Sequence, residues 1–322
     1  MLNSPTVRIA RALSLRLLFG LLSLLFISFV TFVAGEAAPG DAATIEAGEK
    51  ASQADVERIR HQMGLDRPWP VRYVESVAHA AQGDFGNSYT GTKEPVGTII
   101  GRTLPYTAML AVLAIVVASG VGIVLGTLSG VYRNKAPDRL ILTLSTLGVT
   151  IPTFVLAPLL VFYLNVQLGV LPGAWKIDRP EGDFLYLVLP VGILAARPAA
   201  LIARLTRASM IETLQQEFIR TAIAKGVPRG RLYLRHALRN AILPVVTAIG
   251  TTFGLMLTGS FIIETAFTIP GLGMRTVEAI KSLDMPVVQA SVFVAGAMFI
   301  LINTLVDMLL PILDPRIRES QV

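Results

Sequence analysis

The sequence predicts an all-α polytopic membrane protein with six transmembrane helices, and three observations carry that prediction. Of 322 residues, 53% are hydrophobic and only 16% are charged, whereas a soluble domain carries about a quarter charged residues. The apolar residues form continuous blocks, and a membrane-spanning helix needs about 20 of them in a row. The Lys and Arg residues gather at alternate ends of those blocks, as the positive-inside rule requires. Continuous blocks exclude a β-barrel, whose strands alternate apolar and polar positions. The net charge of +6 comes from basic residues beside the blocks, which points to membrane-flanking loops and not to nucleic acid. The absence of cysteine excludes disulfides, zinc-thiolate sites, iron–sulfur clusters and cysteine nucleophiles.

The spans fall at roughly 15–34, 105–130, 140–165, 186–205, 241–263 and 287–312. The N-terminal tail holds Arg8, Arg11 and Arg16 and lies inside. The first apolar run is read as an anchor and not as a cleaved leader, because about 18 residues exceed a typical leader core. Residues 36–104 hold ten acids against seven bases and lie outside. The link Tyr132–Asp138, with Arg133 and Lys135, lies inside; 166–185 lies outside; 206–240 inside; 264–286 outside; and the tail inside. Every loop obeys one alternation, with both termini cytoplasmic. The organisation is therefore 1–35, tail and first helix; 36–104, a small extracytoplasmic helical segment; 105–313, a five-helix core containing the cytoplasmic segment 206–240; and 314–322, a cytoplasmic tail.

Within 36–104, Ser52-Gln53-Ala54-Asp55 is a helix start signal, Val56, Ile59 and Met63 follow at helical spacing, and Gly64 suits a C-cap. Arg67-Pro68-Trp69-Pro70 breaks the chain. Val71, Val74 and Ala78 then mark the apolar stripe of a second short helix, ending near Gly83. In the core, Gly122, Gly126 and Gly130 form two consecutive Gly-x-x-x-Gly steps, expected to pack helices closely within the chain. Pro152, Pro158, Pro190 and Pro198 should kink or loosen their spans. Intramembrane charge is sparse. Arg197, Asp307 and Glu264 are the candidate path or gate residues, with an Arg197–Asp307 structural pair as the alternative. Glu264 and the Pro270-Gly271-Leu272-Gly273 turn are candidates for the outer gate or for binding-protein contact.

No catalytic chemistry is legible. His61, His79 and His236 are not placed to form an intramembrane dyad, and the ordinary polar surroundings of His61 and His79 argue against a metal site. Gly86 to Lys93 superficially suggests a phosphate loop, but Thr92 stands where Lys is required. No cofactor is expected in this chain.

The segment 206–240 concentrates Arg207, Arg220, Lys225, Arg229, Arg231, Arg235 and Arg239, with Arg204 just before it at the membrane edge, opposed only by Glu212 and Glu217. A helix is expected from Ala208 to Lys225, with Ile211, Leu214, Phe218, Ile219 and Ile223 as its apolar stripe. Gly226-Val227-Pro228 stops it, and a second helix with Leu232, Leu234, Leu238 and Ile242 leads into the fifth span. Such a helix can dock in a groove of a soluble partner or lie on anionic lipid.

Arg220-Thr221-Ala222-Ile223-Ala224-Lys225-Gly226 resembles the EAA signature of permease subunits of binding-protein-dependent ABC importers. Ala222, Gly226 and Leu238 fit the general pattern. Arg220, Thr221, His236 and Arg239 depart from it toward the dipeptide/oligopeptide/nickel branch, and Ile223 stands where that branch commonly has Arg. Gly64-Leu65-Asp66-Arg67-Pro68, Gly83-Asp84-Phe85-Gly86, Thr103-Leu104-Pro105, Ile151-Pro152-Thr153-Phe154, Glu264-Thr265-Ala266-Phe267 and Asp314-Pro315-Arg316-Ile317-Arg318 extend the resemblance along most of the chain.

The resemblance implies a type I ABC importer (MetI-like) permease fold and the B-type subunit of the pair. It implies a bacterial inner-membrane location, a homologous second permease, two ATPases that bind the ATP and Mg, and an extracytoplasmic solute-binding protein. The implied cargo is a dipeptide or oligopeptide, with nickel chelate, glutathione or another small solute as alternatives. Glu217, Arg220, Thr221, Ala222, Lys225 and Gly226 would then form the ATPase-coupling site. Ala222 and Gly226 would be the close-contact positions, and Arg220 and Lys225 would be polar contacts on the rim. A self-sufficient secondary transporter or channel is the competing class, but such a protein needs membrane carboxylates or broken helices to hold coupling ions.

Overall fold

In the computed structural model, residues 5–48, 51–176 and 183–313 are described, and all the regular elements among them are helices. The first is α1, Pro5–Ala37, followed by three short helices, α2 Ala42–Ala47, α3 Gln53–Gln62 and α4 Trp69–Ala80. Then come α5 Val96–Val131, α6 Ala136–Thr150, α7 Thr153–Val161 with a π-helical extension Phe162–Gln167, and α8 Asp183–Leu214. The rest are α9 Glu217–Ala224, α10 Arg229–Arg231, a π-helical stretch Leu232–Leu238, α11 Arg239–Ala241, α12 Leu243–Ala266, α13 Leu272–Lys281 and α14 Met285–Leu313.

Four described helices are long and apolar enough to cross a bilayer: Ser14–Ala37 of α1, α5, Phe184–Leu214 of α8, and Met285–Val306 of α14. The expected third and fifth spans are bent pairs. Ala136–Thr150 and Thr153–Gln167 meet at 103°, and Arg229–Ala241 and Leu243–Leu257 meet at 56°. The sharper bend follows from Pro152, which forces Ile151 out of the helical region to ψ 119°. Pro190 and Pro198 do not have that effect, since α8 runs through both without a break.

The chain forms two compact units, Met1–Thr107 with Pro270–Leu301, and Ala108–Ile269 with Ile302–Val322. In the first unit, Val96, Ile99 and Ile100 of α5 pack against Leu272 and Ala279 of α13 and Val287, Val288 and Ala290 of α14. The α13 start is pinned where Leu272 N–H donates to Thr107 Oγ1 at 2.9 Å. Helix α1 lies close to α14, and a Cβ on Gly20 would sit 2.8 Å from Ile300 Cγ2.

The expected α3 is present. Ser52 Oγ accepts from Asp55 N–H at 3.2 Å, but the Asp55 carboxylate takes the Ser52 hydroxyl and not its amide. Gly64 ends the helix at φ +66°, and Leu65 N–H returns to Arg60 O at 3.0 Å. The short α2 was not legible in the sequence. Asp41 caps it, accepting from Ala43 N–H and Thr44 Oγ1. Burial opposes ionisation of Asp41, but hydrogen bonds from Arg60, Thr44 and Ala43 outweigh it and hold the carboxyl below the usual carboxylate range.

Helix α4 leaves the apolar stripe read from the sequence uncovered in this chain and packs by another side chain. Val74 is 65% exposed and Val71 is also exposed, while Tyr73 faces inward. The Tyr73 ring packs edge-on to Phe29 and Phe32 of α1, both at 5.4 Å, and its hydroxyl donates to Leu25 O at 3.2 Å. An aromatic with a polar tip packs a large apolar ring and still satisfies its hydroxyl. The Gly86–Lys93 loop is also anchored within this unit. Buried Asp284 accepts from Ser88 Oγ, Tyr89 N–H and Thr90 Oγ1.

In the second unit, α8 is central, with α6, α7 and α12 packed around it. The three glycines do what their spacing predicts. A Cβ on Gly122 would meet Ala199 O at 2.8 Å, one on Gly126 would meet Ala203 O at 2.5 Å, and one on Gly130 would meet Met210 Cβ at 2.7 Å. Only glycine lets α5 approach the α8 backbone this closely.

Candidate functional site

Helix α8 carries the chain to the segment that the sequence singled out. The single helix expected over 208–225 is two helices. α8 continues to Leu214, Gln215 and Gln216 turn, and α9 begins at Glu217. The turn is closed by Gln215 N–H to Glu212 O and Gln216 N–H to Thr213 O, each at 3.1 Å. Gln216 is extended, at φ −72° and ψ 151°, which redirects the chain. Glu217 then sits in the first turn of α9, where a negative charge complements the helix dipole.

Ile219 and Ala222 are the inward positions of α9. They pack with Met210 of α8, Leu232 and Ala237 of the π-helical stretch, and Ala241 of α11. The expected inward stripe is therefore narrower than its residue types suggested. Phe218 is 43% exposed and Ile223 is 58% exposed, and they flank the buried pair. Glu217, Arg220, Thr221 and Lys225 are exposed around them. Arg220 and Glu217 form an i,i+3 ion pair at 2.8 Å, and Thr221 Oγ1 donates to Glu217 O at 3.1 Å. At 100° per residue Phe218 and Ile223 stand about 140° apart, one on each flank of the buried pair, and Glu217, Arg220 and Thr221 line the outer face between them.

Two small residues have reasons of their own within this chain. Ala222 is buried against its own unit. Gly226 is exposed, with open space around it, but its φ of +75° lies in the left-handed region. There Gly226 N–H reaches Ile223 O at 2.9 Å and Val227 N–H reaches Ala222 O at 3.2 Å, closing the end of α9.

A second polar arrangement lies where α5, α6 and α8 meet, and sequence reasoning missed it. Asp138, 1% exposed, takes two hydrogen bonds from Arg207, Nε at 2.6 Å and Nη2 at 2.8 Å. The same carboxylate accepts from Ser129 Oγ and from Asn134 N–H at 2.7 Å. Asn134 stands at φ +62°, so the carboxylate also fixes a left-handed turn. The available signal was an acid inside an otherwise basic link.

Two of the three intramembrane charges, Arg197 and Glu264, have described side chains, and these two do not pair with each other. Arg197 is exposed at the middle of α8. Glu264 is fully buried in α12 and accepts the Ser260 hydroxyl at 2.7 Å, so its carboxylate offers no surface to a docking protein. Asp307 lies on α14, but its side chain is outside the described residues. So is the whole Asp314–Arg318 motif. His61 lies 3.7 Å from Asp66 and His79 3.4 Å from Asp84, and no cluster that could hold a metal occurs among the described residues.

The family described as binding-protein-dependent transport system inner membrane component matches residues 122–319, and its N-terminal counterpart matches 9–111. The chain belongs to this family. The permease is 40% identical over 298 residues to a Brucella abortus (strain 2308) protein provisionally named a peptide transport system permease, covering 92% of this chain and 95% of that one. It is 40% identical over 302 residues to the glutathione transport system permease protein of Pectobacterium atrosepticum, covering 94% and 97%. The corresponding Escherichia coli (strain K12) protein is 38% identical with the same coverage. A solved amino acid ABC transporter chain aligns at 18% identity and a TM-score of 0.47 over 68% of the permease and 94% of its own length, too low to carry an argument. The permease is thus an all-helical, multi-pass membrane subunit of an ABC importer in the dipeptide/oligopeptide branch.

Proposed function

We propose that this permease forms, with a homologous second permease, the translocation path of an ATP-driven importer for short peptides. The relatives named for peptide and glutathione transport, matched over more than nine-tenths of the chain, support peptides as the cargo class; glutathione is itself a tripeptide. A solute-binding protein delivers the cargo from outside, and two ATPases bind ATP and Mg below. The permease contributes no nucleotide site. Both termini and the 206–240 segment lie in the cytoplasm, and 36–104 lies outside, in keeping with the placement of Lys and Arg.

The observation that carries the coupling role is the form of α9. Phe218 and Ile223 are exposed on its two flanks with a polar outer face between them, and Ile219 and Ala222 tie the helix to α8. Exposed apolar side chains on either side of polar ones give a partner both area to bury and groups to hydrogen-bond. Glu217, Arg220, Thr221 and Lys225 supply the rim contacts with the ATPase. Ala222 and Gly226 keep α9 seated and correctly terminated.

Reconstitution with the partner subunits tests this reading. Co-purification of the ATPases and vanadate-sensitive uptake of a labelled peptide set in proteoliposomes are the expected results. Uptake by this chain alone, without ATP, would replace the importer with a self-sufficient transporter.

A further inference from the structure

Of the four straight membrane helices, α8 is the most enclosed by the rest of the protein, yet one stripe of it is open. At 100° per residue, Arg197, Leu201, Arg204 and Ala208 lie within about 60° of one another, and all four are exposed. On the same stripe toward the start of the helix, Tyr186, Pro190 and Ile193 are buried. The stripe is covered up to the middle of the helix and open beyond it. Arg197 stands at the boundary, roughly 20–25 Å along the axis from either end of Phe184–Leu214. Neither Arg197 nor Arg204 has a hydrogen bond or ion pair among the described residues.

An arginine at this depth is costly against lipid, so it faces a partner or water. The two arginines share one open stripe with no carboxylate on it before Glu212, which makes that stripe cationic from mid-helix to its cytoplasmic end. They stand seven residues apart, about 10 Å along the helix, close to the length of an extended tripeptide. A peptide carries a free α-carboxylate, and a tripeptide with a carboxylate at each end could meet both guanidinium groups. Arginine is the side chain best shaped for that partner, because its planar fork takes a carboxylate in two parallel hydrogen bonds.

We infer that Arg197 and Arg204 form a two-step cationic track in the water-filled path, binding the carboxylates of peptides in transit. This rests on the peptide-importer reading above. Arg197 is the deeper step, at the closed end of the open stripe, and Arg204 is the step toward α9.

The natural absence of cysteine makes a direct test simple. Leu201→Cys, midway between the arginines and 45% exposed in the native chain, is introduced into the importer assembled with cysteine-free partner subunits. Its reaction rates with an anionic and a cationic methanethiosulfonate are compared after normalising each to a free thiol. The expected result is a preference for the anionic reagent of about tenfold, as a focused cationic site produces. That preference falls to about one when Arg197→Gln and Arg204→Gln are added, and tri-alanine slows the labelling more than tri-alanine amide does. No reaction with either reagent would place the stripe against lipid or a neighbouring subunit and overturn the inference. A charge preference that survives loss of both arginines, or equal protection by acid and amide, would overturn it too. Labelling requires only the assembled complex, so its outcome is separate from that of ATP-driven uptake.

Discussion

At Asp138, one carboxylate holds Arg207, Ser129 and Asn134, and the energetic consequence can be stated. Removing one member of a buried, hydrogen-bonded ion pair costs about 3 kcal/mol or more, because the other charge is left desolvated. Asp138→Asn is therefore expected to lower the apparent melting temperature in detergent, and Asp138→Leu with Arg207→Met to recover part of the loss. Independent, additive losses in the two single variants would refute the coupling. Gly226 makes a different demand. Its left-handed backbone costs a side-chain-bearing residue about 1–2 kcal/mol, so Gly226→Val should loosen the end of α9. ATP hydrolysis without matching uptake is the expected readout. The sequence made Gly226 conspicuous through its motif. It did not reveal whether backbone geometry or contact required glycine, because both reasons leave the same letter. Asp138 was hidden for a related reason: an acid in a basic loop reads as ordinary solvation until the fold brings Arg207, 69 positions away, within hydrogen-bond reach.

Among the elements, α9 separates two roles that periodicity alone blends. Ile219, Phe218 and Ile223 are all apolar and at helix-like spacing, yet Ile219 is 1% exposed and its neighbours are open. Phe218→Glu and Ile223→Glu should weaken ATPase co-purification at least tenfold while leaving thermal stability nearly unchanged. Ile219→Asp should destabilise the segment itself, because it buries an unpaired carboxylate. If all three variants behave alike, α9 is not a docking surface. The same limit explains α4. Val71 and Val74 marked the apolar stripe, but the contact that ties α4 to α1 is made by Tyr73, whose position off that stripe periodicity did not single out. Helix existence was legible for α3, α4 and the long spans, from caps, glycines and hydropathy. The break at Gln215–Gln216 was not, because neither residue is a strong helix breaker and the apolar period continues across it.

For the whole molecule, the membrane character was readable from composition, and the glycine steps correctly located the close approach of α5 to α8. Substitution there should be severe. A side chain at Gly126 would run into the backbone carbonyl of Ala203, so Gly126→Leu is expected to abolish assembly, judged by loss of a monodisperse complex, where the same change at the open Gly192 does not. Topology can be mapped on the cysteine-free background. Lys93→Cys should react with an impermeant thiol reagent added to intact cells, and Arg229→Cys only after permeabilisation. The reverse pattern would invert the orientation and remove α9 from the ATPase side. What composition could not supply was the count of straight crossings, since the bends at Ile151–Pro152 and before α12 depend on local geometry within blocks that read as continuous.

The Gln215–Gln216 joint has one further mechanical consequence. It connects a 32-residue rod to an eight-residue foot, and Met210, Ile219 and Ala222 wedge the ankle so that the foot cannot swivel on its own. If α9 is the foot that an ATPase grips, a tug on it would tip the shaft, and with it Arg197, which stands at mid-shaft. Grip from below and hold on the cargo would then share one stiff member, so that letting go of a solute needs no separate signal.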